Sequence, residues 1–221
     1  MPSEYEAFVR ILHPARDEYG QSIRWESISQ ANGRAIHPLA QFSNILADRF
    51  GGDASGKKNF EPPNRGSLAA EQLEELTAIL MQESGENAQC WMLLWNGWSN
   101  LPVSWRSSFP VAVQRSREYW LFRAPLKDLM SASTFFGIPF EFHQINNYAE
   151  DVFDSLISIQ SPNQWWAEDR SWFIASEIDQ DSTIFAGPLT LAKRLLQTAG
   201  LECFLVSRNS NIGSDGDLIN I

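Results

Sequence analysis

Three carboxylates, Glu177, Asp179 and Asp181, occupy alternate positions in QSPNQWWAEDRSWFIASEIDQDST, residues 160 to 183. On an extended strand, alternate side chains point to one face, so the three would converge and could hold a divalent cation through oxygen ligands. An apolar strand running into Asp-x-Asp also occurs at sugar-nucleotide and nucleotidyl-transfer sites, where the pair holds such an ion. The competing reading ends the strand near 179 and leaves the acids on a solvated loop, with Asp181 capping a turn. No phosphate-cradling sequence accompanies them, and no cofactor other than a divalent metal is suggested. Just upstream, Trp165 and Trp166 follow SPNQ outside any strong periodicity and precede Asp169 and Arg170. Residues 160–170 read as a loop with two aromatic anchors beside charges, a composition typical of protein interfaces and carbohydrate-stacking sites. Tucked back, the same tryptophans would lid the core. Residues 171–179 read as a core strand carrying Trp172, Phe173 and Ile174.

Other reactive groups are few. Of the three histidines, His13 and His37 each precede proline, which restricts them to extended, strand-end or loop positions. Neither these nor His143 has metal-ligand spacing such as HExxH, so structural hydrogen bonding is expected of them. A histidine general base would require the fold to bring one beside Asp179 or Ser182. Cys90 and Cys203 lie in or beside apolar runs and read as buried, inert thiols. They are far apart and outside any CxxC pair, which argues against a zinc site or a disulfide framework. GxSxG and SxxK are absent, so the common serine acyl-transfer classes find no support.

The chain has 27 acidic and 17 basic residues, a formal net charge of −10. Nucleic-acid and anionic-membrane affinity both rest on Lys and Arg, so the balance disfavours both. It suits a basic protein partner through steering and complementarity, and equally serves solubility. The beginning, MPSEYEAFVR, is acidic without an apolar core, unlike a signal peptide, and no run is long enough to span a bilayer. With two isolated thiols, a reducing cytoplasm is the expected location.

These groups must be positioned by a modest set of elements. YEAFVRILHP (5–14) reads as a strand stopped by proline, and RWESISQANGR (24–34) as a short helix ended by Asn32-Gly33. Residues 51–66, rich in Gly, Ser, Lys and Pro, read as a mobile loop. A helix follows, with Ser67 as N-cap and Ala69, Leu73, Leu76 and Leu80 on one face. CWMLLWNGW (90–98) and REYWLFRAPL (117–126) read as strands; in the second, Tyr119, Leu121 and Arg123 alternate with Trp120, Phe122 and Ala124. Core packing is expected of Trp91 and Trp95. KDLMSASTFFGIPFEF (127–142) suggests a short helix broken at Gly137 and Pro139. In 189–200, Leu191, Leu195 and Ala199 share a helix face between Pro188 and Gly200. The expected architecture is α+β, or mixed α/β: one domain over 1–208 with a mixed or antiparallel sheet flanked by a few helices. A polar tail, 209–221, is expected to fray.

Several stretches together resemble a known family: RILHPAR, IRWESISQANGRAIHPLAQF, CWMLLWNGW, REYWLFRAPL and SPNQWWAEDRSWFIASEIDQDSTIFAGPLTLAKRLL. They are similar to bacterial proteins, met especially in actinobacteria, that carry HP, W..I...NGR..HP..Q, CW..LW.G and SPN.WWP.DR.W...TEID...TYV.GS..L patterns. Ala167 stands where that pattern has proline, and Ala186-Gly187-Pro188 where it has a Gly-Gly-Ser turn. The resemblance covers most of the chain in order; it implies weight on residues 161–188 and no particular activity. The residues therefore lean away from an enzyme and toward a cytosolic binding protein of the immunity or antitoxin kind with a basic protein partner. A metal-dependent enzyme using Glu177, Asp179 and Asp181 is the alternative. A small-ligand sensor with an aromatic pocket at Trp165 and Trp166 is a third.

Overall fold

The computed structural model describes residues 4–46, 60–98, 110–114, 116–130 and 160–220. In chain order its elements begin with β1 (Ala7–Leu12), β2 (Ala15–Arg16), β3 (Ser22–Ile23), α1 (Trp25–Ala31) and α2 (Phe42–Leu46). Then come α3 (Ala70–Ser84), β4 (Gln89–Trp95), β5 (Val111–Gln114), β6 (Arg117–Pro125) and a 3-10 turn at Leu126–Met130. The last five are β7 (Gln164–Ala167), β8 (Phe173–Ser176), β9 (Ser182–Gly187), α4 (Leu189–Gln197) and β10 (Cys203–Val206). Among the described residues the strand pairings within each unit are antiparallel, and a few helices accompany the strands, so the class is α+β. The chain divides into two compact units, Met1–Gly66 with Glu177–Ile221, and Ser67–Ser176. The loop expected over 51–66 lies outside the described residues up to 59. Of the short helix expected over 127–142, residues 127–130 are described, as part of the 3-10 turn, while 131–142 and His143 lie outside the described residues.

In the first unit β1 is central, paired with β10 on one side and β9 on the other, Val9 facing Leu205 and Phe185. All six of its residues are buried, Arg10 included, which explains why AFVRIL shows no apolar–polar alternation. A helix with Leu191, Ala192 and Leu195 buried, α4, packs against it. Ala199 falls past the helix end at Gln197 and is exposed, so it does not extend that apolar face. Leu12, Ala15, Trp25, Ile28, Ala40, Phe42 and Ile45 form a second apolar cluster in this unit. The stop expected at Asn32-Gly33 is present, with Gly33 at φ +65°.

The tail is not frayed. Asp217 and Asn220 are 2% and 4% exposed and bond residues 35–41, because two short polar side chains there satisfy backbone and side-chain groups of that loop.

In the second unit the strand order is β8-β7-β4-β6-β5. One sheet face carries Cys90, Met92, Leu94, Trp120, Phe122, Ala124, Trp165, Ala167 and Ile174, all buried. Leu76, Ile79 and Leu80 of α3 are buried in the same unit, and the Trp172 indole N–H donates to Ser84 Oγ at that helix's end. Ser67 is not the N-cap. It precedes the first helical residue by three positions, too far for its hydroxyl to reach first-turn amides; it accepts from the Ser161 amide at 2.8 Å instead.

Candidate functional site

The stretch 160–183 is cut at Ser176, with the tryptophans in one unit and the three acids in the other. The loop expected over 160–170 is interrupted by a strand at Gln164–Ala167. Aromatic side chains favour a half-buried pleated surface, and the tandem tryptophan forms the middle of β7. Strand alternation then separates the pair. Trp165 points inward, fully buried opposite Met92 and Ile174, edge-on to Trp172 at 5.4 Å, and presents no surface to a partner. Trp166 points outward.

That outward face carries a row set by register: Phe173 opposite Trp166, Trp166 opposite Trp91, and Trp91 opposite Arg123. Trp91, Trp166 and Phe173 are each half-buried, and Trp166 stacks on Phe173 with centroids 6.2 Å apart. The exposed Arg123 guanidinium lies 5.9 Å over the Trp91 ring, while its Nε and Nη2 donate to Glu168 Oε1 at 3.0 and 2.7 Å. Exposed ion pairs add little to folding, so this one bears more on surface character than on stability. Trp91 and Phe173 are thus outward rather than the core residues their apolar runs imply. Arg123 was legible on one face of its strand from alternation. Its partners were not, because they depend on which strands pair.

Asp169 and Arg170 form the turn between β7 and β8. Asp169 Oδ1 accepts from the Ser171 amide at 2.9 Å, and hydrogen bonds from Ser171 hold its carboxyl below the usual range. Arg170 adopts φ +60°, a left-handed turn position.

The convergence expected of the three acids does not occur. Strand β8 ends at Ser176, so Glu177 and Asp179 lie exposed in a turn closed by the Gln180 amide donating to the Glu177 carbonyl. Asp181 is partly buried, 3.7 Å from Arg10 Nη2. Desolvation pushes its carboxyl up, against the pull of Arg10 and Arg65. Among the described residues no group of three or more His, Cys, Asp or Glu is placed to hold a metal ion.

The described histidines make structural hydrogen bonds. His13 Nδ1 lies 2.6 Å from the Asn64 carbonyl, which can only accept, so Nδ1 carries the proton. Its Nε2 then accepts from the Thr183 hydroxyl at 2.8 Å. His37 Nε2 meets Asp217 Oδ1 at 2.9 Å. Arg10, fully buried, donates to Ser182 Oγ and to the Pro38 and Ala40 carbonyls. Burial pushes the Cys90 thiol up to about 12 and the Cys203 thiol up to about 11, so both are protonated and poorly nucleophilic at neutral pH.

Comparison with protein-family models, curated proteins and solved structures finds no match to this chain. No described helix is long and apolar enough to cross a membrane.

Proposed function

We propose that the chain is a non-enzymatic binding protein of the immunity or antitoxin kind, and that the outward face of the second unit's sheet takes a basic protein partner. The observation that carries this reading is the row Phe173–Trp166–Trp91 ending in Arg123 and Glu168. Aromatic side chains held in one plane by strand register lose little conformational freedom on binding, which is what makes them anchors. The net charge of −10 supplies the attraction to a basic surface.

The test uses the full chain as bait in extract of its native host. A basic protein recovered this way is then purified and titrated against wild type and Trp166→Ala, with circular dichroism confirming that the variant is folded. Binding weakened about tenfold or more by Trp166→Ala is the expected result. Unchanged affinity in the variant, or recovery of no specific basic protein, would sink the proposal.

A further inference from the structure

Residues 211–220 are fastened onto residues 34–41 by a dense set of polar contacts. Asp217 accepts from the amides of Gln41, Ile219 and Asn220 and from the Asn220 carboxamide, at 3.0–3.1 Å, and meets His37 Nε2 at 2.9 Å. Asn220 accepts from the Ala35 amide at 3.0 Å and donates to the Ala35 carbonyl at 2.9 Å. Gln41 Nε2 donates to the Ile212 carbonyl at 3.2 Å. Of the segment's large apolar residues, Leu218 and Ile219 are 75% and 63% exposed, and Ile212 is only partly buried. Its fold-back is tight: a Cβ on Gly216 would lie 1.9 Å from the Asn211 carbonyl oxygen.

We propose that residues 211–220 are a releasable strap, latched by Asp217, that opens as one unit and frees the 34–41 loop with it while the rest of the first unit stays folded. Segments held by hydrogen bonds rather than apolar burial are the ones that open below the global unfolding free energy. The loop is held by the strap, by the buried Arg10, whose guanidinium binds the Pro38 and Ala40 carbonyls, and by Ala40 and Ile36, which pack in the apolar cluster. Opening removes the first. It loosens a loop that carries the core residue Ala40 and leads into Phe42, next to the already exposed Leu218 and Ile219.

Native-state hydrogen exchange on the full chain tests this, comparing wild type with Asp217→Asn, Asn220→Ala and, as control, Leu218→Ser. In the first two variants the amides of Ala35, Gln41, Ile219 and Asn220 are expected to exchange about tenfold faster or more, together, with β1, β9 and α4 unchanged. Leu218→Ser is expected to match wild type. The proposal is overturned if both variants leave those amides at wild-type rates, or if both accelerate β1, β9 and α4 equally. It is also overturned if Leu218→Ser releases the segment as Asp217→Asn does.

Discussion

A neutral imidazole enclosed at the end of β1 makes one side chain a reporter on folding. His13 is fully buried, and desolvation, reinforced by the charge of Arg10, pushes its pKa from 6.5 down to about 4. A proton on Nε2 would also remove its acceptance from the Thr183 hydroxyl. Between those two values the unfolded chain binds more protons than the native one, so stability rises with pH there. His13's contribution is complete above 6.5 and falls away as pH drops toward 4, by about 3 kcal/mol for a shift of this size. Asp181 and Glu202, both pushed up chiefly by desolvation, act in the opposite sense: each holds its proton more tightly when folded, and loses stability as pH rises through its folded value. The difference between wild type and His13→Gln isolates the histidine. Unfolding free energies from denaturant titrations are expected to fall more steeply for wild type than for the variant between pH 6.5 and 4.5; parallel curves would refute the assignment. That His13 is structural was legible from its place before Pro14. Its partners Asn64 and Thr183 were not, since they lie 51 and 170 positions away.

Elements show the same division between local pattern and distant completion. Periodicity and Asn32-Gly33 announce α1, but its N-terminus has no local cap, because Arg24 at that position makes no side-chain cap bond. The cap is Glu202, whose two carboxylate oxygens accept from the Trp25 and Glu26 amides at 2.7 and 2.8 Å. These amides would otherwise be orphaned beside the positive end of the helix dipole. Glu202→Ala should therefore cost about 1–2 kcal/mol by chemical denaturation, with Glu202→Gln intermediate because its amide oxygen can serve only one of the two donors. An alanine variant as stable as wild type would show that the desolvation of Glu202 cancels its bonds. The tandem tryptophan illustrates why strand assignment failed locally. In β7 only four residues pair, and Trp165 and Trp166 face opposite sides, so neither a helical period nor a long alternation surfaces in the sequence. The acids failed for a related reason: whether β8 runs to 176 or 179 decides which way three carboxylates face, and element ends are where local patterns are weakest.

At the scale of the whole molecule, composition anticipates charge and the α+β class, while connectivity is hidden. The first unit is made from both parts of the chain that flank the second, with β1 inserted between β9 and β10, and no local pattern encodes pairing over such separations. Charge is different, because it acts at a distance and needs no topology. A net charge of −10 creates a field that attracts a basic partner before contact, and that field is screened over about 10 Å at 0.1 M salt and about 3 Å at 1 M. In the proposed complex, steering of this kind enters the association rate, whereas close aromatic packing at Trp91, Trp166 and Phe173 enters the dissociation rate. The two contributions separate in one experiment, surface plasmon resonance of the chain with a basic protein recovered from host extract, across salt concentrations. Raising salt from about 0.05 M to about 0.5 M should slow association about tenfold or more and change dissociation by less than about threefold. Trp166→Ala should do the reverse, accelerating dissociation at every salt concentration while leaving the salt slope of association intact. If association were insensitive to salt, the acidity of the chain would have no part in recognition, and the aromatic face alone would have to account for partner choice.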